Sequence, residues 1–169
     1  MRSICLLALL LLMHGCRKDP GLDGFVPGEI IFSLQLGKSF VETYDLIDRH
    51  DLELKEGLGF VYEVDSTIAS LDSVRTVFAT KAYLTNGGRT FGIFQIEHGA
   101  YVSTNFFAFD QADHLDWVVT VAQLGLIERP ELEDWKWGIL GVPIGTENAW
   151  VRRLREEPII KAVQLNHYI

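Results

Sequence analysis

Residues 28–47, GEIIFSLQLGKSFVETYDLI, predict a strand followed by an amphipathic helix. Residues 28–34 are rich in β-branched and aromatic side chains and follow a proline, which is typical of a buried strand. Ser39 and Glu42 have the spacing of a capping box, in which each side chain accepts a hydrogen bond from a free amide of the first turn. The apolar residues of the predicted helix share one face; they are Phe40, Tyr44 and Ile47. The stretch therefore predicts one strand-helix unit.

A second strand completes this unit, and the same order recurs at the end of the chain. The second strand is indicated by alternating apolar residues: Leu58, Phe60, Tyr62 and Val64. Residues 138–144 (GILGVPI) predict another strand. Thr146 is placed to cap a helix whose end Pro158 marks, and residues 159–165 predict a closing strand. The apolar stripe of that helix consists of Trp150, Val151 and Leu154. Two such units predict an α+β fold, a ferredoxin-like split β-α-β sandwich with both helices on one face of the sheet.

Residues 67–137 separate the two units and predict an insertion that extends or covers the sheet. A short helix at its start is indicated by apolar spacing: Leu71, Val74, Val77 and Phe78. Residues 86–88 (NGG) tolerate positive φ and predict a hairpin turn between strands at 82–85 and 90–96.

The second half of the insertion predicts a strand and a helix. His98-Gly99 offers another turn before a strand at 101–109. Asp110 is placed to cap the helix that follows, and Gly125 is placed to end it. The residues of this helix that we expect to face inward are Leu115, Val118, Val119 and Ala122. The insertion therefore contributes a β-hairpin and a helix segment.

The composition indicates one globular domain, which we place at residues 25–169. The chain has 169 residues, of which 48% are hydrophobic and 11% aromatic. A chain of this size buries roughly 70% of the surface that it exposes when unfolded, so it can form a real core. Its formal net charge is -8, from 15 basic and 23 acidic residues. Because nucleic-acid affinity depends on clustered Lys and Arg, we expect no nucleic-acid partner.

Residues 1–15 have the features of a secretion signal, and Cys16 stands where cleavage is expected. Arg2 precedes an apolar run at residues 4–13. That run is about ten residues long, whereas a helix needs roughly 20 to cross a hydrocarbon core. Residues 13–16 (MHGC) resemble the lipobox of bacterial lipoproteins. The resemblance implies that the sulfur of Cys16 carries diacylglycerol and the chain is palmitoylated and held by membrane lipid; simple cleavage with a free cysteine is the alternative.

A lipid anchor implies a short tether and a place in the cell envelope. Residues 16–24 include a Pro, Gly and Asp-rich run and predict a flexible tether. Cleavage before Cys16 removes Cys5 and leaves one cysteine, so the stability of the domain depends on packing rather than on an internal disulfide. Arg17 is not the aspartate associated with inner-membrane retention in such lipoproteins. The resemblance therefore implies the outer membrane, on its periplasmic or surface face.

Both ends of the domain carry a pattern of apolar residues punctuated by proline. The pattern consists of residues 26–31 (VPGEII), then Trp150, Val151, Leu154, Pro158, Ile160, Val163 and Asn166. It resembles the propeptides of subtilisin-type proteases and their free-standing inhibitor relatives, over roughly residues 25–66 and 138–169. The resemblance implies the same fold, with a large insertion, and a function as inhibitor or chaperone of such a protease.

The same resemblance implies a role for the last three residues. In that family the residues after the closing strand lie in the substrate cleft in an extended form; here they would be His167, Tyr168 and Ile169. Main-chain hydrogen bonds would supply affinity and side-chain pockets would supply selectivity. The alternative is that these residues only complete an edge strand.

The densest polar cluster is at residues 110–116, DQADHLD. Asp110 and His114 are four residues apart and would share one helical face, which suits two metal ligands. No third protein ligand stands at a recognised spacing, and capping already explains an Asp at a helix start. The sequence has no nucleophile-elbow glycines and no Gly-rich phosphate loop. We therefore expect a noncatalytic protein without a cofactor, with a metal-dependent enzyme as an alternative.

Trp135-Lys136-Trp137 puts two indoles on the same side if the segment is extended. Such a pair can contact a carbohydrate or a protein, because indole combines a large apolar area with a polar handle. Packing beneath the inserted helix is the other interpretation. The leading hypothesis from the sequence is a membrane-anchored envelope lipoprotein with a noncatalytic domain that binds another macromolecule, a protein being the expected partner.

Overall fold

The structure is a computed structural model that describes residues 24–86, 88, 90–96 and 99–167. The predictions for the signal, for Cys16, for nearly all of the tether, for His98 and for the last two residues of the tail lie outside these residues. Within them the chain forms seven strands, four α-helices and two short 3-10 helices. The α+β class predicted from the sequence is confirmed.

The helices and strands follow the chain in a simple order. The first part contains β1 (Phe25–Leu34), α1 (Phe40–Arg49), β2 (Glu53–Val64), α2 (Leu71–Phe78) and a 3-10 helix (Ala82–Leu84). The middle contains β3 (Gly92–Ile96), β4 (Gly99–Phe109), α3 (Gln111–Gln123), β5 (Leu126–Glu128) and a 3-10 helix (Pro130–Leu132). The last part contains β6 (Trp137–Gly141), α4 (Glu147–Leu154) and β7 (Ile160–His167).

The strands form one antiparallel sheet in the order β3-β4-β2-β6-β1-β7. The four strands from the two ends of the domain are therefore neighbours, in the order β2-β6-β1-β7. The inserted strands β4 and β3 extend this sheet beyond β2, and β5 pairs with the last residues of β2. Residues 67–137 were expected to extend or cover the sheet, and in the structure they supply the strands β3 and β4 at this edge.

The core lies on one face of the sheet. Alternate residues of β1 are buried, namely Ile30, Phe32 and Leu34. They form one cluster with the buried residues of the four helices. At its centre the ring of Phe40 stacks on that of Phe106 at 4.1 Å, and Trp117 meets Phe106 edge-on at 5.1 Å. Large apolar side chains from distant parts of the chain thus hold the helices against the sheet.

Two helix starts follow the sequence predictions. Ser39 and Glu42 form the predicted capping box of α1, and Asp110 caps α3. Phe40, Tyr44 and Ile47 are buried as expected. At α4 the hydroxyl of Thr146 donates to the carbonyl of Pro143 at 2.6 Å instead of capping the helix.

The predicted orientation of α3 is wrong. Leu115, Val118, Val119 and Ala122, expected to face inward, are exposed. The buried residues are Trp117, Thr120 and, just after the helix, Leu124. The helix is apolar on both sides, and burial of the Trp117 indole removes more apolar area from water than burial of a valine or leucine. Trp117 therefore determines which side of α3 faces the core.

The predicted hairpin is also wrong in its first strand. Residues 82–84 form a 3-10 helix, and β3 pairs with β4 rather than with this segment. Tyr83 and Leu84 are buried, and the hydroxyl of Tyr83 donates to the carboxylate of Asp116 at 2.6 Å. These contacts with the core and with α3 hold the segment in a turn. The short strand β5 has no counterpart in the sequence predictions.

Candidate functional site

The face of the sheet opposite the core carries two rows of side chains. Registered pairing across β7, β1, β6, β2 and β4 gives the first row, Ala162, Ser33, Trp137, Leu58 and Asn105. The second row is Gln164, Ile31, Ile139, Glu56 and Phe107. We call these two rows the uncovered face. Ile31, Trp137, Ile139 and Leu58 are half-buried on it, and Ala162 and Gln164 are exposed. Phe107, at its β4 end, is buried.

The uncovered face has a shallow depression of about 240 Å³ where β6, β1 and β7 meet. It is lined by Ile31, Ser33, Trp137, Ala162 and Gln164, together with the backbone of the neighbouring residues. Its lining includes the apolar side chain of Ile31 and the indole of Trp137. This shape and chemistry suit an apolar or aromatic side chain of a partner.

Trp135 lies next to this face and is 71% exposed. Lys136, the next residue, is 2% exposed and lies on the core side, while its carbonyl accepts a hydrogen bond from the amide of Leu34. Trp135 is two residues before Trp137, the first residue of β6, so an extended backbone at Lys136 would place both indoles on the same side. The two tryptophans singled out in the sequence are thus near the same surface, one exposed and one half-buried.

The side chain of Lys136 stabilises residues 130–137, the segment that carries the two tryptophans, by hydrogen bonds. Its Nζ donates to the carbonyl of Pro130 at 2.6 Å and to that of Glu133 at 2.9 Å. Burial lowers the pKa of Lys136, and the negative charge of Glu128 opposes this shift. Burial raises the pKa of Glu128 to about 7, although the hydrogen bond from the amide of Phe40 and the charge of Lys136 act in the opposite direction.

Two glycines, Gly59 and Gly138, allow neighbouring backbone segments to approach each other closely near the tryptophans. A Cβ on Gly138 would lie 2.3 Å from the carbonyl oxygen of Glu56 and 2.7 Å from the ring of Phe32. A Cβ on Gly59, whose φ is +87°, would lie 2.9 Å from the carbonyl oxygen of Trp135. Both positions require glycine. The close approach of the backbone at Trp135 and Trp137 to β2 therefore depends on glycine at positions 59 and 138.

Two residues before Ile31 on β1, Glu29 forms a polar group with side chains of β2 and β7. The carboxylate of Glu29 accepts from Lys55 Nζ at 3.3 Å and from Asn166 Nδ2 at 2.7 Å. Asn166 is one of the residues in the propeptide-like pattern, and it joins the end of β7 to β1. An apolar centre with a polar border is the usual arrangement of a protein interface.

The structure gives Asp110 and His114 other contacts. Asp110 accepts from the amide of Asp113 at 2.9 Å, and the imidazole of His114 stacks on the ring of Tyr44 at 3.8 Å. Burial lowers the pKa of His114, and the negative charges of Asp45 and Asp48 oppose this shift. In the part of the chain that the structure describes, no group of three or more His, Cys, Asp or Glu residues could hold a metal ion.

Of the predicted tail, only His167 is described. It is exposed, ends β7, and its Nδ1 lies 3.1 Å from the carbonyl oxygen of Gly24. Its backbone pairs with Phe25. His167 therefore belongs to the edge of the sheet.

Most residues of the uncovered face were not predicted from the sequence, including Ile31, Ile139, Ala162 and Gln164. The signal available was alternation within each strand, but residues 28–34 were predicted only as a buried strand, with neither side assigned to the core. Which of the two sides the helices would cover depends on long-range pairing.

None of the helices in the described ranges has both the length and the apolar character needed to cross a membrane. No protein-family model, no curated protein and no solved structure matches this chain.

Proposed function

We propose that this chain is a lipid-anchored, noncatalytic protein-binding domain of the cell envelope, and that its partner docks on the uncovered face. The single observation that supports this most is the depression between β6, β1 and β7, which is lined by Ile31, Trp137 and Ala162. Half-exposed aliphatic and aromatic side chains grouped on a flat surface are typical of interaction sites.

The backbone beneath the centre of the uncovered face is held within the sheet. Strands β1, β6 and β2 are paired on both sides there, whereas β7 and the part of β4 that carries Asn105 and Phe107 are paired on one side. Lys136 and the glycines at 59 and 138 fix the segment that carries both tryptophans. A partner therefore meets a surface that needs little reordering, which lowers the entropic cost of binding.

The proposal includes the finer fold assignment, a ferredoxin-like split β-α-β sandwich. The order β2-β6-β1-β7, with α1 between β1 and β2 and α4 between β6 and β7, supports it. In this arrangement both helices lie on the core side of the sheet and the other side is left for a partner. The insertion adds strands at the β2 edge and leaves β7 as an edge strand.

The lipid anchor is tested separately from the binding surface. Labelled palmitate is expected to enter the full chain expressed in a Gram-negative bacterium and to be absent from Cys16→Ala. Expression of both chains is checked on the same gel. Equal labelling of the two proteins, or no labelling of the wild type, refutes the anchor without affecting the binding proposal.

The binding surface is tested by capture from envelope extract with residues 21–169. Ala162→Glu and Trp135→Ser alter exposed positions on or beside the uncovered face, so both should leave the fold intact. Ile144→Ser, at a residue that is 75% exposed in the loop before α4, is the matched control. We expect one protein to be captured by the wild type and the control and to be lost with Ala162→Glu. Capture that is equal for all four proteins refutes this surface.

A second candidate function is a propeptide-like inhibitor or chaperone of a subtilisin-type protease. It is favoured by one observation: β7 is an edge strand, so its outer backbone groups are available to pair with an extended segment. Residues 21–169 are then expected to inhibit such a protease at micromolar concentration. The same protein without residues 167–169 is expected to inhibit much less. A folded domain that does not inhibit, or a truncated one that inhibits equally, refutes this mechanism.

A further inference from the structure

A cavity of about 270 Å³ lies between the end of α1 and the start of α3. Its lining comes from the last turns of α1, from the turn that leads into β2, and from the junction between β4 and α3. None of the lining residues belongs to the uncovered face. Pockets for drug-sized ligands are usually larger, at roughly 300–1,000 Å³, so this volume suits a small molecule or a single side chain. We call it the α1–α3 cavity.

The buried part of the lining is apolar or aromatic, and the exposed part is acidic. Tyr44, Ile47 and Phe109 are buried. The carboxylates of the lining are all on exposed residues, namely Asp48, Asp51, Glu53 and Asp110. No Lys, Arg or His is among the described residues that line the cavity. A ligand that matches both parts has an apolar body and a positive charge, as the side chains of lysine and arginine have.

The four carboxylates are not neutralised by basic side chains. In the part of the chain that the structure describes, none of them forms an ion pair with a Lys or Arg. The basic residues next to them in sequence are paired elsewhere, Arg49 with Glu157 and Lys55 with Glu29. Asp110 caps α3 through Oδ1, and its other oxygen accepts no hydrogen bond from the described residues. The cavity therefore offers negative charge that a cationic ligand can approach.

Tyr44 brings to the cavity a buried hydroxyl without a partner. The residue is 7% exposed, and its ring stacks on the imidazole of His114 at 3.8 Å and meets the ring of Phe109 edge-on at 5.8 Å. Its hydroxyl makes no hydrogen bond within the described ranges. Burial raises the pKa of Tyr44, and the negative charges of Asp48 and Asp110 raise it further. Because a buried hydroxyl without a hydrogen bond costs free energy, a ligand that hydrogen-bonds to it gains affinity.

We propose that the α1–α3 cavity binds an organic cation that carries N–H donors on a short apolar chain, either an alkylammonium or a guanidinium. Its chain would lie against Ile47 and the rings of Tyr44 and Phe109, whose faces also attract a cation. Its N–H groups would donate to the hydroxyl of Tyr44 and to the carboxylates. His114 does not oppose the charge, because burial lowers its pKa and leaves the imidazole mainly neutral at pH 7. The site is separate from the uncovered face, so this proposal does not depend on the function proposed above.

Two other classes of ligand fit the cavity less well. A divalent metal ion needs several oxygen ligands at about 2.0–2.6 Å from one point. Within the described residues, no group of three or more His, Cys, Asp or Glu is placed to hold such an ion. An anion would be repelled by the four carboxylates. Charges spread around an apolar interior instead favour a cation with an extended body.

The test is a titration of isotope-labelled residues 21–169 followed by NMR. This range includes every strand, helix and core residue that the structure describes. The cationic probes are n-pentylamine, for a free amine, and N-acetyl-lysine N-methylamide, for a side chain within a polypeptide; both carry an ammonium group at pH 7. Pentanol and pentanoate are the neutral and anionic controls. The amide signals of residues 48–53 and 109–111 report on the cavity.

Two variants remove the features that define the site. Tyr44→Phe keeps the ring and removes only the hydroxyl. Asp48→Asn/Asp51→Asn removes two negative charges with little change of shape, and Asn tolerates the φ of +51° at position 51. The matched control is Asp45→Asn/Glu156→Gln, which removes the same number of charges at exposed residues outside the lining.

We expect at least one cationic probe to shift these signals saturably, with an affinity that falls as salt is added. The affinity should fall about tenfold or more in Asp48→Asn/Asp51→Asn and about threefold or more in Tyr44→Phe, and should be nearly unchanged in the control variant. Tighter binding of pentylamine identifies a free amine as the ligand, and tighter binding of the blocked lysine identifies a side chain of a partner.

Three results overturn the proposal. The first is the absence of saturable shifts with both cationic probes. The second is equal binding of pentanol, or equal affinity of the wild type and either cavity variant. The third is tighter binding of Ca²⁺ or Mg²⁺ than of either amine at the same amides, which would identify a metal site instead.

Discussion

The carboxylate of Glu128, at the end of β5, accepts a hydrogen bond of 2.6 Å from the backbone amide of Phe40, the first residue of α1. The bond joins the insertion to the first strand-helix unit across 88 residues of sequence. It satisfies one of the amides that every helix leaves free at its start. The interaction also places an acidic side chain in the interior, where its ionised form is costly.

We predict that Glu128 makes the domain less stable as pH rises through the neutral range. Burial raises its pKa from 4.5 to about 7, so between these values the folded state binds a proton that the unfolded state has lost. Its contribution is present below pH 4.5 and is lost as pH approaches 7. At about 1.4 kcal/mol per pH unit the total is roughly 3 kcal/mol at most.

The measurement is urea unfolding of wild type and Glu128→Gln between pH 4.5 and 8. The variant keeps an oxygen for the amide of Phe40 and does not ionise, so its free energy of unfolding should vary less with pH. Glu156→Gln, at an exposed glutamate, is the control and should follow the wild type. Parallel pH curves for wild type and Glu128→Gln would contradict the prediction.

Gly138→Ala is expected to destabilise the domain by about 3 kcal/mol or more, because its Cβ would overlap backbone that cannot move aside. The nearest atom, the carbonyl oxygen of Glu56, is 2.3 Å from the Cβ position. Gly92→Ala is the matched control, since its Cβ would meet nothing closer than 3.9 Å. Thermal unfolding of the two variants checks this; similar melting temperatures would show that the sheet accommodates the methyl group at 138.

Glu147→Leu should lower the free energy of unfolding by about 2–4 kcal/mol, since it leaves two backbone amides without an acceptor. Glu147 is 3% exposed, and its Oε1 accepts from Gly28 at 2.7 Å and from Gly145 at 3.0 Å. Glu147→Gln retains an oxygen at this position, so its free energy of unfolding should fall by less. Chemical denaturation of the three proteins at pH 7 gives the comparison, and equal losses for Leu and Gln would count against this role of the oxygen.

The contribution of the Glu147 carboxylate to stability changes with pH in the direction opposite to that of Glu128. Burial alone would raise the pKa of Glu147, but the amides of Gly145 and Gly28 hold it below its usual value. Its contribution is therefore present above pH 4.5 and is lost as pH falls further. In Glu147→Gln the fall in stability below pH 4.5 should be shallower than in the wild type, as measured by thermal unfolding.

Lys136→Ala is expected to loosen the segment that carries Trp135, because the two carbonyls held by Nζ lose their donor. Lys136→Met retains the buried stem and should restore most of the packing but not the hydrogen bonds. We expect both variants to be less stable than the wild type, Ala by more than Met. Hydrogen exchange of residues 130–136 checks the local effect, and unchanged protection in Lys136→Ala would contradict it.

Local sequence patterns were sufficient for the approximate positions of the helices and strands within residues 25–64 and 137–167. The capping box of Ser39 and Glu42 and the cap at Asp110 involve atoms three residues apart, so their geometry follows from spacing. The strands were also found where alternation was clean, as in residues 58–64. The segment at 82–84 was misread because its turn is stabilised by contacts with α3, which lie far away in sequence.

The exposed surfaces of the domain could be identified only from the tertiary structure, because they too depend on contacts between residues far apart in sequence. The sequence of α3 is compatible with burial of either apolar side, and its choice follows from the space that Phe106, Tyr62 and Phe78 leave for the indole of Trp117. The prediction buried the side that is exposed. Packing against the core, and not the periodicity within the helix, therefore decides which apolar side of α3 is exposed.

The sequence by itself determined the α+β class and the two strand-helix-strand units, because these depend on periodicity, caps and turn residues that act over a few positions. Only the tertiary structure decided which side of the sheet stays uncovered, which side of α3 faces solvent, and how Glu128 and Lys136 are buried. Each of these depends on strand pairing and side-chain packing between residues far apart in the chain. Such contacts contribute free energy only once the core is assembled, so no local segment of sequence predicts them.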